Sequence, residues 1–72
     1  MATLRKQFGS HLREIRVRRG MTQERFAETL EMSVDFLSLI ERGINAPSFE
    51  MLEKISKKLR MTPADLFTFT TK

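Results

Sequence analysis

Residues 21–43 read MTQERFAETLEMSVDFLSLIERG, and the spacing of the apolar positions in this stretch decides the fold. Phe26, Ala27 and Leu30 share one face of a first short helix, and Phe36, Leu37 and Ile40 share one face of a second. Thr22 and Ser33 stand just before the two helices, where a side-chain oxygen can accept from the free backbone N–H groups of the first turn. The helical pattern breaks at Glu31–Ser33. Ala27 is small enough to let one helix cross close over another. Gly43 follows the second helix and suits a left-handed cap, a conformation that costs most residues about 1 kcal/mol or more. The stretch therefore predicts two short amphipathic helices joined by a tight turn.

The same signals recur on either side. Phe8, Leu12 and Ile15 lie at helical spacing in a helix expected over Leu4–Arg19, with Gly20 at its C-terminal end. The two central helices are expected over Gln23–Leu30 and Val34–Arg42. The loop Ile44–Pro47 leads to Ser48, the expected cap of a fourth helix running to Leu59 with Leu52, Ile55 and Leu59 inward. Thr62-Pro63-Ala64-Asp65 opens a fifth: a cap, a proline at the first helical position and an acid at the third. Leu66 and Phe67 close the core, Met21, Met32, Met51 and Met61 fill its gaps, and the tail Thr68–Lys72 is expected to fray. No segment reads as a strand. The expected architecture is all-α, with five helices in a single domain over residues 1–72 and the central two-helix unit at about 22–43.

A chain of 72 residues buries only about 60% of its unfolded surface, so its core must be efficient. With no cysteine there is neither a disulfide framework nor a thiolate metal site. No apolar run approaches the ~18 residues of a membrane span, and the N-terminal stretch lacks a signal peptide's apolar core, so a cytoplasmic protein is expected. The net charge of +4 favours an anionic partner, nucleic acid above all. The charge is unevenly placed. Residues 1–25 carry seven Lys/Arg against two acids, residues 26–53 only Arg42 against six acids, and residues 54–72 five against one. The basic charge lies outside the second central helix.

Two helices in this arrangement are the layout of a helix-turn-helix, whose second helix enters the major groove of DNA. Beyond layout, TQERFA, then S..FLS.IERG, then Pro47-Ser48 and Leu66-Phe67 resemble the Cro/phage-repressor-type (xenobiotic-response-element) helix-turn-helix family. The resemblance runs from about Phe8 to Phe67, and its specificity lies in the combination of Gln23, Ala27, Glu41, Arg42, Gly43 and Pro47. It implies a lambda-repressor-like five-helix DNA-binding domain, acting as a small bacterial or phage transcriptional regulator on double-stranded DNA. The sequence departs from the family at Glu31, where glycine is usual in the turn. A non-glycine there must accept a positive φ or use a different turn.

By the same resemblance, base reading falls to Ser33, Val34 and Asp35 at the start of the third helix and to Ser38 one turn on. Serine can donate to or accept from most base edges, aspartate can accept from cytosine N4, and valine can pack on a thymine methyl. Ser33 is equally a plain helix cap; for Asp35 the alternative, set below base reading, is a charge favoured by the helix N-terminus. Leu39 sits where some relatives read a base, but Ile44 is expected to pack back onto it. Phosphate contacts fall to Gln23, beside free N–H groups at the start of the second helix, and to Arg42, Asn45 and Ser48. Arg18, Arg19 and Lys6 are either phosphate contacts or solvated charge. Arg16 and Glu41 occupy positions that the family often pairs as a partly buried ion pair. Glu24, Glu28 and Glu31 form an acidic stripe, either a solvated face or, as in some relatives, a contact for RNA polymerase.

No catalytic set is visible. His11 is the only histidine, expected at the surface, and Ser10 beside it points elsewhere as a helical neighbour. No phosphate-cradling glycine loop and no metal-ligand spacing occur, so neither enzyme activity nor a cofactor is expected. The rival function is a protein-binding module such as an antitoxin or adaptor, favoured by the acidic centre and by apolar Val34 and Leu39. A single unit reads few base pairs, so a weak homodimer on a palindromic operator is expected. Phe69, near the C-terminus, either meets the partner or folds back over the first helix near Phe8.

Overall fold

The structure, a computed structural model, describes residues 3–69. They form five helices and no strand: α1 (Leu4–Arg18), α2 (Gln23–Thr29), α3 (Val34–Glu41), α4 (Phe49–Leu59) and α5 (Pro63–Leu66). The bounds fall within a residue of those the sequence predicts. Every helix opens the same way. Thr3, Thr22, Ser33, Ser48 and Thr62 hold extended backbone, and each side-chain oxygen accepts from the N–H three residues on, at 3.1–3.2 Å. At α5 the Asp65 carboxylate accepts in turn from the Thr62 N–H, completing a capping box.

Four helices also close the same way. After α1, Gly20 N–H donates to Val17 O and Met21 N–H to Arg16 O, and the equivalent pair of bonds follows α2, α3 and α4. This motif satisfies carbonyls the helix would leave free, and it needs one residue in the left-handed region. That residue is Gly20 (φ 68°), Glu31 (φ 57°), Gly43 (φ 75°) and Arg60 (φ 56°) in turn. After α3, Ile44 N–H donates to Leu39 O at 2.9 Å, the backbone half of the back-packing expected there. Gly43 has a second reason to be glycine: a Cβ on it would lie 2.8 Å from the Cα of Lys6 in α1.

The apolar stripes converge on one core. Phe26, Leu30, Leu37, Ile40, Ile55 and Leu66 are wholly buried, joined by Phe8, Leu12, Ile15, Ala27 and Leu59. Met21, Met32, Met51 and Met61 pack at its edge. Helix α1 crosses α3 most tightly at Gly9, where a Cβ would run into the backbone carbonyl of Ile40 and lie 3.0 Å from that of Glu41. Phe67 is not in the core proper; it is 39% exposed and stacks on Phe8 with centroids 5.0 Å apart. Phe69 folds back over α1, its ring 5.6 Å from that of His11, and Thr68 donates to Ala64 O. The rest of the tail expected to fray, residues 70–72, lies outside the described residues.

The turn between α2 and α3 keeps its geometry with Glu31 in the left-handed conformation. Its carboxylate reaches α4, accepting from Lys58 Nζ at 2.8 Å and lying 3.4 Å from Lys54 Nζ. An unfavourable backbone position thus carries a side chain that ties the turn to α4. The Lys58 hydrogen bond and charge, followed by those of Lys54, hold the Glu31 carboxyl below its ordinary range.

Two predictions follow from these contacts. Gly9→Ala forces α1 away from a backbone atom that cannot swing aside, and should lower stability by at least the ~1–3 kcal/mol of an overpacked core, read as the urea midpoint. Because the folded-state pKa of Glu31 is depressed, its contribution is present above the unfolded carboxylate range and lost as pH falls through the lowered folded value. Glu31→Gln keeps the strained backbone and removes the charge. The stability difference between Glu31→Gln and the parent should therefore be present at neutral pH and vanish in acid.

Candidate nucleic-acid interface

The geometry of this face begins with an ion pair that it does not display. Arg16, in the last turns of α1, donates from Nε to Glu41 Oε2 at 2.8 Å and from Nη2 to Oε1 at 3.2 Å. The two planar groups meet in a fork, the strongest geometry for this pair. Arg16 Nη1 donates to Met21 O at 2.9 Å, which holds the loop into α2. The Glu41 side chain is only 2% exposed. Its last partner is Gln23, whose Nε2 donates to Oε1 at 3.0 Å. One carboxylate at the end of α3 therefore fixes the end of α1 and the start of α2.

Gln23 is thus committed to Glu41 by one amide hydrogen, and the second amide hydrogen remains. Around the start of α3, Ser33 and Asp35 are exposed and Val34 is 37% exposed, while Ser38, one turn on, is half-buried. Ser33 is engaged as the N-cap of α3, accepting from Phe36 N–H; its hydroxyl hydrogen is still available to donate. Asp35 enters no ion pair among the described residues. The buried positions of α3 are Leu37, Ile40 and Glu41, a set that does not overlap the exposed one. Leu39 is half-buried, with its carbonyl shared by Ile44 N–H and Asn45 N–H.

Arg42 is exposed at the C-cap of α3, Asn45 is half-buried in the following loop, and the Ser48 hydroxyl caps α4 through Met51 N–H. The other basic candidates divide. Arg18 is exposed. Arg19 donates from Nη2 to Leu59 O at 2.8 Å, capping the end of α4 with charge of the favourable sign. Lys6 lies with its stem over Gly43. Glu24 and Glu28 are exposed on α2, and Glu31, third in that stripe, is bound to α4 instead.

His11 is not the free surface residue the sequence predicts. It is half-buried, with Nε2 3.2 Å from Asp65 O and its ring against Phe69. Sequence reasoning also missed Gly9, although a glycine beside Phe8 on the buried stripe of a 15-residue helix was a usable signal. No cluster of potential metal ligands occurs among the described residues.

A tight two-helix unit with an exposed second-helix start, locked from behind by a buried ion pair, defines a helix-turn-helix protein. The helix-turn-helix family pattern matches residues 12–66, and the chain belongs to that family, in its xenobiotic-response-element type. The control protein C.BamHI of Bacillus amyloliquefaciens is 41% identical over 69 residues, covering 94% of this chain and 85% of that protein. The control protein C.MunI of a Mycoplasma species is 33% identical, covering 94% of this chain and 93% of that protein. Among solved structures, the clp gene regulator ClgR of Corynebacterium glutamicum superposes with a TM-score of 0.83 at 33% identity, over 92% of this chain and 85% of that one. The restriction-modification controller protein C.AhdI of Aeromonas hydrophila superposes at 0.78 with 30% identity, over 85% of this chain and 92% of that one.

Removing one partner of a buried pair strands the other charge at a cost of about 3–5 kcal/mol, against a total stability for a small domain of about 5 kcal/mol. Glu41→Ala should bring the protein close to unfolding at room temperature, whereas Glu28→Ala, at an exposed position, should leave the melting curve in place. Thermal denaturation of the two variants side by side checks the contrast; equal melting temperatures would refute it.

Proposed function

We propose that the chain acts as a single helix-turn-helix domain that binds double-stranded DNA sequence-specifically and regulates transcription, with α3 in the major groove. One observation carries the reading: Ser33, Val34 and Asp35 are offered to solvent at the start of a helix whose far end is pinned by Arg16. A reading helix must be both exposed and held, since a base contact gains discrimination only when its donor or acceptor is fixed in register. Family membership and the names of the relatives support the same conclusion.

In this reading Val34, Asp35 and Ser38 face base edges, and Ser33 adds a donor while capping its helix. Gln23, with its amide oriented by Glu41, contacts phosphate on one side; Arg42, Asn45 and Ser48 do so on the other. Glu24 and Glu28, exposed and without ion-pair partners among the described residues, are the surface for an RNA polymerase contact. The partner DNA is a palindromic operator bound by two copies, and the place of action is the cytoplasm, where such DNA lies. No helix among the described residues is long and apolar enough to cross a membrane.

Duplex affinity should fall linearly on a log–log salt plot, with a slope of about −0.9 per phosphate neutralised. Asp35→Ala or Val34→Ala should change the sequence selected from random duplexes, by about 1–3 kcal/mol at one base pair. Arg42→Ala should weaken all sequences alike. Absence of duplex binding at low salt would sink the proposal, and an unchanged selected sequence in both α3 variants would remove α3 from the reading role.

A further inference from the structure

The Arg16–Glu41 pair holds α3 by its far end. The start of α3, with Val34, lies about 10 Å away, since each helical residue advances about 1.5 Å. A tilt of about 3° at the pin moves that start by about 0.5 Å, the tolerance within which a binding constellation must be held. Leu37 and Ile40 seat the middle of the helix in the core. A polar contact near its start would complete the constraint.

Glu31 supplies one. It stands in the turn just before the Ser33 cap, with Lys58 Nζ at 2.8 Å from Oε2 and Lys54 Nζ at 3.4 Å from Oε1. The two lysines are four residues apart, on one face of α4, and reach the two carboxylate oxygens from successive turns. Among the described residues, these are the only polar contacts between residues 21–43 and α4. Helix α4 begins at the Ser48 cap, on the phosphate side of the proposed interface. The tie therefore joins the reading end of α3 to an element that starts at a phosphate contact.

Stability does not explain the tie. All three side chains are about half-exposed, and ion pairs this open add little. The backbone of Glu31 is left-handed, at φ 57°, a conformation that glycine adopts without cost. On stability alone glycine would serve as well. Strain kept without a gain in stability points to function. We propose that Glu31 is a positioning residue for sequence discrimination: through Lys54 and Lys58 it fixes the start of α3 relative to α4. The proposal rests on the DNA-binding reading above, and Glu31 itself touches no base. As an acid beside the reading helix it repels phosphate, so its charge and its positioning role predict different results when it is removed. Loss of charge alone strengthens binding to every duplex alike. Loss of positioning lowers the preference for one duplex over another.

The test compares the duplex that the parent protein selects from random sequences with an unrelated duplex of equal length. Affinities for both are measured by fluorescence anisotropy at one salt concentration. Glu31→Gly should melt no lower than the parent and bind the unrelated duplex at least as well. Its ratio of selected to unrelated affinity should fall roughly fivefold. Lys54→Gln/Lys58→Gln should lower the ratio by a similar factor, and adding Glu31→Gly to it should lower it no further. A Glu31→Gly protein that keeps the parent's ratio overturns the proposal, as does a ratio that falls only together with the melting temperature. A further fall in the combined variant shows the lysines acting without Glu31 and overturns the tie. A parent that selects no sequence refutes the DNA-binding reading and this proposal with it, whereas a parent that selects one beside an unaltered Glu31→Gly ratio refutes the positioning role alone.

Discussion

The Glu41 carboxylate is the point on which the rest of the molecule turns. Three donors from Arg16 and Gln23 converge on two oxygens, and the carboxylate is almost wholly out of water. A lone buried charge would be prohibitive, but a forked pair with every donor aimed is tolerated and imposes direction in a way that apolar packing does not. Helices α1 and α3 pack at Gly9 through backbone, which sets their distance. The ion pair sets their rotation, and Arg16's bond to Met21 O extends that control to the loop before α2. Distance and orientation of the exposed end of α3 are thus determined by separate contacts.

The helix ends supply the second constraint. Helices of seven, eight and eleven residues are marginal by themselves in water, and here each is opened by a hydroxyl cap. The first four are closed by the same two-bond motif. Two of the four left-handed positions hold charged residues rather than glycine. At Glu31 the strain is offset by its lysine partners in α4; at Arg60 no side-chain partner accompanies it among the described contacts.

Why some of this was legible in sequence and some was not follows from the range of the interactions. Caps, the Thr62–Asp65 box, Gly20 and Gly43 act within five residues, so residue types at fixed offsets reveal them. Apolar spacing placed Phe26, Leu30, Leu37 and Ile40 in the core because helical period alone determines a face. The Arg16–Glu41 pair spans 25 residues and was accessible only through resemblance to a family. Where no such guide existed, long-range contacts went unread: His11 on Asp65 O, Arg19 on Leu59 O, and Gln23 on Glu41. Glu31's reach to α4 was hidden as well, since an exposed glutamate in an acidic stripe does not announce a lysine more than twenty positions away.

The separation of exposed from buried positions on α3 bears on how such a protein diverges. Leu37, Ile40 and Glu41 are buried and support the fold, whereas Val34 and Asp35 are exposed, and Asp35 enters no ion pair among the described residues. In the proposed reading, binding preference can drift through Val34 and Asp35 at little cost in stability, because exposed surface changes usually stay within about 0.5 kcal/mol. Ser33 is different: it is a cap as well as a candidate contact, and its loss would cost about 1 kcal/mol of a small reserve. On that reading, lineages descending from this sequence should explore new binding preferences first at 34 and 35, and should keep a capping side chain at 33 whatever sequence they come to recognise.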